Sequence, residues 1–326
     1  MLGFRKKTSA APRRALRIYF ATDVHGSDRC FRKFLAAAKV YEADVLLLGG
    51  DVAGKGLVPI QAENGHVRAT VRGEPVTVPA AEEDRLRAEV NRMGFYPVRM
   101  EVEEIARMRE DTPYVEQRFR EEIVRQLEGW CDLAAERLEP GVRCIITPGN
   151  DDPFEIDAVL EAHPRIECPE RQLCDLGPVL LASLGDVTPT PWNTDREYSE
   201  EELAGRIAEM MDAVPAGRQT VVNFHCPPYG TGLDTAAELD ETLKPVIRGT
   251  RPSMVPVGSR AVLEAIEKYQ PAVALHGHIH ESRAAQKIGT SLCLNPGSDY
   301  SNDVLHGAVV DLAEDGSCID FLFTTG

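Results

Sequence analysis

The sequence predicts an α/β fold built on buried parallel strands, and two observations along the chain lead to this prediction. Residues 15–22 and 43–48 are short apolar runs, and the residues between them have the apolar spacing of a helix. A strand, a helix and a second strand within about 30 residues form a β-α-β unit, which implies a parallel sheet. Similar apolar runs recur further along the chain, ending at residues 147, 184, 224 and 275.

The last part of the chain is also strand-like. Three apolar segments follow residue 289, and the sequence E-D-G-S stands between the last two. A short polar turn with glycine is typical of a hairpin, so we expect these two strands to pair antiparallel.

The segment between the second and third apolar runs differs, and we interpret residues 52–140 as an insertion. An Asn-Gly pair at 64–65, between β-type runs, predicts a hairpin. Residues 80–139 have a helical period and predict two or three amphipathic helices, which either cover the sheet or form a lid beside a site. We expect residues 1–14 to be a mobile leader and residues 15–326 to be a single domain.

Composition limits the classes of protein to consider. Of the 326 residues 43% are hydrophobic and 27% charged, as in ordinary globular proteins. No apolar run approaches the roughly 20 residues that span a bilayer. The basic N-terminal residues lack the apolar stretch of a secretory signal. The eight cysteines include no C-x-x-C pair, so we expect reduced thiols in a cytoplasmic protein.

The net charge of −16 disfavours nucleic acid as a partner, because an acidic chain repels phosphate backbones. A bound metal ion would still attract a single phosphate, because such an ion is often the largest local charge.

Side chains of metal-binding type follow the strand-like runs. In chain order they are Asp23 and His25, Asp51, Asn150, His225, and His278 and His280. Ligands bind at the carboxyl edge of open α/β sheets, and side chains two apart on an extended segment point the same way. Glycines at 49, 50, 149 and 277 allow sharp turns there. The mixed donors suit Mn, Fe, Zn or Co, and the lack of cysteine ligands argues against structural zinc, so we predict a two-metal site.

Five motifs together resemble the calcineurin-like metallophosphoesterase superfamily. They are D-V-H (23–25), G-G-D-V (49–52), P-G-N-D-D (148–152), H-C-P-P (225–228) and G-H-I-H (277–280). The resemblance runs from residue 17 to about 298, where N-P-G-S follows the last motif, and it is strongest to the prokaryotic Icc-related predicted phosphoesterases. It implies a four-layer α/β/β/α sandwich, here with an inserted hairpin and helical segment.

The resemblance also implies a ligand set and an activity. Asp23, His25, Asp51 and His280 would bind a first metal, and Asp51, Asn150, His225 and His278 a second, with Asp51 bridging. The cofactors would be two divalent or mixed-valence ions, Mn or Fe ahead of Zn. The activity would be hydrolysis of a small phosphodiester or phosphomonoester by a metal-bridging hydroxide.

Position 151 departs from the family pattern. The superfamily usually has a histidine there, which stabilises the transition state or protonates the leaving oxygen. Asp151 would be a general acid with a raised pKa, a metal or water ligand, or the sign of a substrate whose leaving group needs little protonation. Asp152 matches the acid that orients the missing histidine, and we interpret it as a carboxylate that caps the loop.

Other residues near the motifs have two possible interpretations, one functional and one structural. Lys55, Trp192 and Asn193 are candidates for substrate binding, with a solvent-facing lysine and a surface tryptophan as the alternatives. We expect Cys226 to be a buried, inert thiol. His66, His163 and His306 fit no motif.

Two other functions remain open besides the phosphoesterase. A nuclease is disfavoured by the acidic charge. A metal-holding or partner-binding protein on the same fold is favoured slightly by the lost histidine, although it would not need an open two-metal site.

Overall fold

The computed structural model describes residues 13–326, which form two central sheets with helices on their outer faces. The strands are β1 (Arg14–Ala21), β2 (Val45–Gly49), β3 (Gly56–Glu63), β4 (His66–Val71), β5 (Glu74–Pro79), β6 (Phe95–Arg99), β7 (Arg143–Thr147), β8 (Leu173–Asp175), β9 (Val179–Leu184), β10 (Gln219–Phe224), β11 (Thr235–Ala237), β12 (Ile247–Arg248), β13 (Arg251–Pro252), β14 (Met254–Pro256), β15 (Val273–Leu275), β16 (Ala284–Ile288), β17 (Ser291–Asn295), β18 (His306–Ala313) and β19 (Cys318–Thr325). The α-helices are α1 (Asp28–Val40), α2 (Glu83–Arg92), α3 (Val102–Met108), α4 (Thr112–Arg137), α5 (Glu155–Ala162), α6 (Glu200–Met211) and α7 (Arg260–Tyr269).

Both central sheets are mixed, with parallel strands at their centres. The first sheet has the order β19-β18-β1-β2-β7, in which β1, β2 and β7 run parallel. The second has the order β16-β17-β15-β10-β9-β8, in which β9, β10, β15 and β17 run parallel. The predicted hairpin after residue 289 is confirmed, because β18 and β19 pair antiparallel.

Three apolar clusters separate four layers. Side chains such as Phe20 of the first sheet and Leu181 of the second meet in a cluster between the sheets. The other face of the first sheet packs on α1 and α4 through residues such as Phe34 and Leu127. The other face of the second sheet packs on α6 and α7. The strands between two cores are therefore buried on both faces, as continuous apolar runs require, and the predicted four-layer α/β/β/α sandwich is confirmed.

Between β2 and β7 the chain forms a third sheet of order β5-β4-β3-β6, with α2 packed against its apolar face. The predicted hairpin is present as β3 and β4, which pair antiparallel around Asn64 and Gly65. The helical prediction for 80–139 is correct for α2, α3 and α4 but wrong at β6, which pairs parallel with β3. Pro97 explains the difference, because proline disrupts a helix interior but is tolerated in an edge strand.

The predicted leader, residues 1–14, lies outside the described residues except for Arg13 and Arg14. Among residues 13–326, no helix is both long and apolar enough to cross a membrane.

Candidate metal centre

The carboxyl ends of the parallel strands bring the predicted ligands together between the two sheets. From the first sheet come Asp23 and His25 after β1, Asp51 after β2 and Asn150 after β7; from the second come His225 after β10, and His278 and His280 after β15. Two donor groups result, each with ligand atoms that all lie within 4.8 Å of one another. The first consists of Asp23, His25, Asp51 and His280, and the second of Asp51, His225 and His278.

Distances within the cluster show how closely the donors converge. The two Nε2 atoms of His25 and His280 are 3.0 Å apart. Asp51 has one carboxylate oxygen 3.7 Å from Nε2 of His25 and the other 3.3 Å from Nε2 of His225. Asp51 therefore faces both donor groups, one oxygen toward each.

Several of these buried atoms have no hydrogen-bond partner within the part of the chain that the structure describes. They include Nδ1 of His25, Nε2 of His225 and Oδ1 of Asn150. In two of these side chains another polar atom is hydrogen-bonded and fixes the orientation of the group. Nδ1 of His225 donates to the Gly49 carbonyl at 3.1 Å, and Nδ2 of Asn150 donates to Thr194 at 2.9 Å. Buried polar atoms are normally satisfied, so unpaired ring nitrogens and an unpaired amide oxygen here suit a bound cation, which would displace any proton that the nitrogens carry.

The backbone is strained at the donor residues. The φ angles of Asp23, His25, Asp51 and His278 are 54°, 42°, 50° and 66°, in the left-handed region that non-glycine residues rarely adopt. Such residues cost about 1–3 kcal/mol each and cluster at functional sites. Four strained donors around one point are therefore more readily explained by ligation than by packing.

Glycines leave room for the donors. A Cβ atom on Gly149 would overlap Asp51 and lie 2.8 Å from Nε2 of His225. A Cβ atom on Gly277 would lie 2.5 Å from the Asp23 carboxylate. No side chain fits at these two positions without displacing a donor.

The electrostatics of the cluster suit a cation. Burial lowers the pKa of His225, but the carboxylates of Asp51 and Asp23 outweigh this effect and raise the pKa to about 10. Burial lowers the pKa of His278 to about 4, so this ring remains neutral. The two buried carboxylates thus hold a proton on His225, and a bound metal would take the place of that positive charge and release the proton.

Asp152 lies behind the donors and holds two loops. Its carboxylate accepts hydrogen bonds from the backbone N–H groups of Val52, Ala53 and Gly149 at 2.7–3.1 Å. Burial and the nearby Asp51 raise the pKa of Asp152 to about 7. These are the contacts of a loop-capping carboxylate, tying the loop after β2 to the loop after β7.

Asp151 is closer to the open side of the cluster. Its carboxylate lies 3.8 Å from Nδ1 of His25 and 3.5 Å from Nζ of Lys55. Burial and the charge of Asp51 raise the pKa of Asp151 to about 6. Bound cations act in the opposite direction, since they favour the ionised form.

Sequence reasoning missed Tyr300 and Asn295. The ring centroid of Tyr300 lies 4.8 Å from that of His25 and 5.9 Å from that of His280. Asn295 donates from Nδ2 to the carbonyls of Gly277 and Ile279, which hold the loop bearing His278 in place. The motif N-P-G-S points to Asn295, whereas no residue spacing marks Tyr300.

Trp192 and Asn193 lie on the loop that also carries Thr194. Trp192 is 64% exposed, and no hydrogen bond joins either residue to the donors within residues 13–326. Cys226 is buried, as expected. His66, His163 and His306 belong to neither donor group.

Comparisons with known proteins agree with this architecture. No protein-family model matches the chain. The protein MJ1162 of Methanocaldococcus jannaschii, described only as uncharacterized, is 29% identical over 162 residues. That match covers 49% of this chain and 66% of the relative, so it spans slightly less than two thirds of the relative's length.

Two solved structures align with 95% of this chain and 98% of their own. One has a TM-score of 0.53 at 17% identity, and the other, TT1561 of Thermus thermophilus, has a TM-score of 0.52 at 14% identity. At such identities the likeness shows the fold alone, and that fold is the sandwich described above.

Proposed function

We propose that this chain, which has the fold of the calcineurin-like metallophosphoesterases, is a metal-dependent hydrolase of small phosphodiesters or phosphomonoesters. The observation that carries the proposal is the pair of donor groups that share Asp51. Two cations held about 4 Å apart neutralise phosphoryl oxygens and lower the pKa of bound water to near neutrality. Unpaired buried polar atoms, strained donor residues and close-fitting glycines support the fit of such ions.

Specific donors are proposed for each ion. Asp23, His25, Asp51 and His280 hold the first, and Asp51, Asn150, His225 and His278 hold the second. His225 and Asn150 are oriented by the Gly49 carbonyl and by Thr194. Fixing the far side of each ligand in this way keeps its donor atom directed at the ion.

Lys55 and Asp151 form the polar rim of the site. Burial lowers the pKa of Lys55, but Asp151 and other nearby acids favour its charged form, so the pKa is raised overall. A protonated Lys55 therefore attracts a phosphate group and offsets the charge of Asp151 beside it. We propose that Lys55 positions the substrate phosphate and that Asp151 positions Lys55.

The decisive experiment measures metal content and ester hydrolysis together. We expect the Mn²⁺-loaded chain to hydrolyse bis-p-nitrophenyl phosphate or p-nitrophenyl phosphate. Asp51→Asn removes one anionic ligand from both donor groups. We expect it to lower turnover by more than the roughly 10–100-fold typical of losing a residue that only orients a ligand.

Asp84→Asn is the matched control, because Asp84 is an exposed carboxylate on α2 away from the donors. Unchanged metal content and turnover in Asp51→Asn would show that the donor assignment is wrong. The alternative, a metal-holding or partner-binding protein, is favoured by the aspartate at position 151. It predicts normal metal content in the wild-type chain with no turnover of either ester.

A further inference from the structure

A cavity of about 700 Å³ lies between α1, α2 and α4, and none of the metal donors lines it. This volume is within the range of pockets that bind small molecules. Its charged lining contains more basic than acidic residues, although the whole chain carries a net charge of −16. The basic residues are Arg29, Arg32, Arg87, Arg92 and Arg125, and the acidic ones are Asp28, Glu122 and Asp303.

The acids of this lining are already held by donors. Trp130 and Gln126 donate to Asp28, Arg125 donates to both oxygens of Glu122, and Arg29 donates to Asp303, at distances of 2.6–3.2 Å. A third arginine, Arg87, lies 3.7 Å from Glu83. The acids therefore leave two arginines of the lining uncompensated.

Those two arginines are Arg32 on α1 and Arg92 on α2. Neither has an acceptor or an ion-pair partner among residues 13–326, and Nε of Arg92 is buried. A buried donor without a partner is destabilising, and more so when it belongs to a charged group. Nε itself has almost no accessible surface, so an anion in the cavity would accept instead from the terminal guanidinium nitrogens of Arg92 and Arg32, which are not buried.

The geometry of guanidinium groups narrows the class of anion. Arginine presents planar, forked N–H donors that match the oxygens of phosphate, and two arginines from different helices suit a dianion. The cavity is larger than a phosphate ion alone requires. We propose that it is a binding site for a phosphate-bearing small molecule, held between Arg32 and Arg92 and separate from the proposed metal centre.

The cavity is in contact with the loop that carries His25. Asn91 and Gln126 line it, and both donate hydrogen bonds to the Gly26 carbonyl, at 2.9 and 2.8 Å. Gly26 directly follows His25. Two residues of the cavity wall are thus hydrogen-bonded to the first donor loop.

Fluorescence of Trp130 provides a test that does not depend on ester hydrolysis. The chain has two tryptophans, so Trp192→Phe leaves Trp130, which lines the cavity, as the only reporter. We would titrate the full-length, metal-loaded protein with inorganic phosphate and with phenylphosphonate, whose carbon–phosphorus bond resists hydrolysis. We expect a saturable change in Trp130 emission, and the tighter probe identifies whether the site prefers free phosphate or an organic phosphate.

Variants locate the binding. We expect Arg92→Gln and Arg32→Gln each to raise the probe concentration at half-saturation by at least 10-fold. Arg85→Gln, a matched change at an exposed residue of α2 that does not line the cavity, should leave it unchanged. Far-UV circular dichroism checks folding, and Arg32→Gln alone keeps the test valid if Arg92→Gln does not fold, because Arg32 is exposed.

The response should persist in Asp51→Asn, which impairs the metal centre but not the cavity. A response that is lost in Asp51→Asn and kept in both arginine variants would place the anion at the metal centre and overturn the proposal. No saturable response at millimolar probe would overturn it too, and would leave the proposed hydrolase untouched.

Discussion

At the scale of single residues, Asp151 stands beside Lys55 at the open side of the donor cluster. A carboxylate in this position accepts protons poorly from water and donates them poorly at neutral pH once cations are near. In the proposed hydrolase the leaving group would therefore depart with little help from residue 151. Esters with acidic alcohols, such as aryl esters, meet this requirement.

Asp151→His tests this interpretation. General acid catalysis typically contributes about 10²–10⁴-fold, so we expect a histidine to speed the hydrolysis of alkyl esters by at least 10-fold. Hydrolysis of aryl esters should stay within a few-fold, since their leaving groups need no proton. Steady-state kinetics on matched alkyl and aryl phosphodiesters would measure both, and equal changes on the two would contradict the protonation argument.

Glu170 provides a pH-dependent prediction outside the donor cluster. It is buried, one of its oxygens accepts from the Gly185 N–H, and the other has no partner among the described residues. Burial raises its pKa from 4.5 to about 8. The folded state therefore binds the proton more tightly than the unfolded state, so this residue's contribution to stability is greatest below about pH 4.5 and declines as the pH rises to 8.

Glu170→Gln keeps the size of the side chain and cannot ionise. We expect the unfolding free energy of Glu170→Gln, relative to that of the wild type, to increase between pH 5 and pH 8. Urea denaturation at each pH would measure this difference. Glu264→Gln, at an exposed position on α7, is the control and should show no such trend. A constant difference across this range would mean that Glu170 stays ionised in the folded protein.

At the scale of elements, the loops after the parallel strands determine the site. Gly149 begins the tight turn after β7, where Asp51 and His225 leave no room for a side chain. Neighbouring residues of this loop are fixed by Asp152 and by the hydrogen bond from the Asp151 N–H to Asp51. One added methyl group would therefore disturb donors from both sheets.

We predict that Gly149→Ala lowers metal content and reduces turnover by at least about 100-fold, the loss typical of a 1 Å displacement at a reacting centre. Gly205→Ala is the matched control, since a Cβ atom there meets no atom of residues 13–326 within 4 Å outside its own helix, and alanine suits the interior of α6. Metal analysis by mass spectrometry and turnover of an aryl ester would measure the effect. Wild-type metal content in Gly149→Ala would show that the turn tolerates the side chain.

The elements that sequence reasoning recovered are those with a strong local signal. The strands that precede Asp23, Asp51 and His225 are continuous apolar runs, because both of their faces are covered. β6 was missed because it lies in a region rich in helix-forming residues, and only Pro97 hints at a strand. Tyr300 and Arg92 were missed for another reason: their neighbours come from distant parts of the chain, and no periodicity records such tertiary contacts.

At the scale of the whole molecule, the donors come from both sheets, so bound cations would tie the two halves of the sandwich together. The Asp23 carboxylate already accepts a hydrogen bond from the His278 N–H at 3.0 Å, across the two sheets. An ion that binds only the folded state stabilises it by about 2.7 kcal/mol at a free concentration 100 times its Kd.

Removing metal should therefore lower the melting temperature. With an unfolding entropy of roughly 2.1 cal/mol/K per residue, 1 kcal/mol corresponds to about 1.5 °C in a chain of 326 residues. We therefore expect a chelator to lower the midpoint by a few degrees and added Mn²⁺ to restore it. Differential scanning calorimetry on the wild type and Asp51→Asn would measure the shift. A shift of equal size in Asp51→Asn would mean that the stabilising ion binds elsewhere.

His25 and His280 are 255 residues apart in sequence, yet their Nε2 atoms lie 3.0 Å apart. This separation has a consequence for biosynthesis. While the chain is being made, Asp23, His25 and Asp51 leave the ribosome long before their partners. A growing chain that has not reached residue 280 cannot close the first donor group, whatever the metal concentration around it. Closure of the first donor group by a metal should therefore follow the synthesis of residue 280 and not accompany any earlier stage.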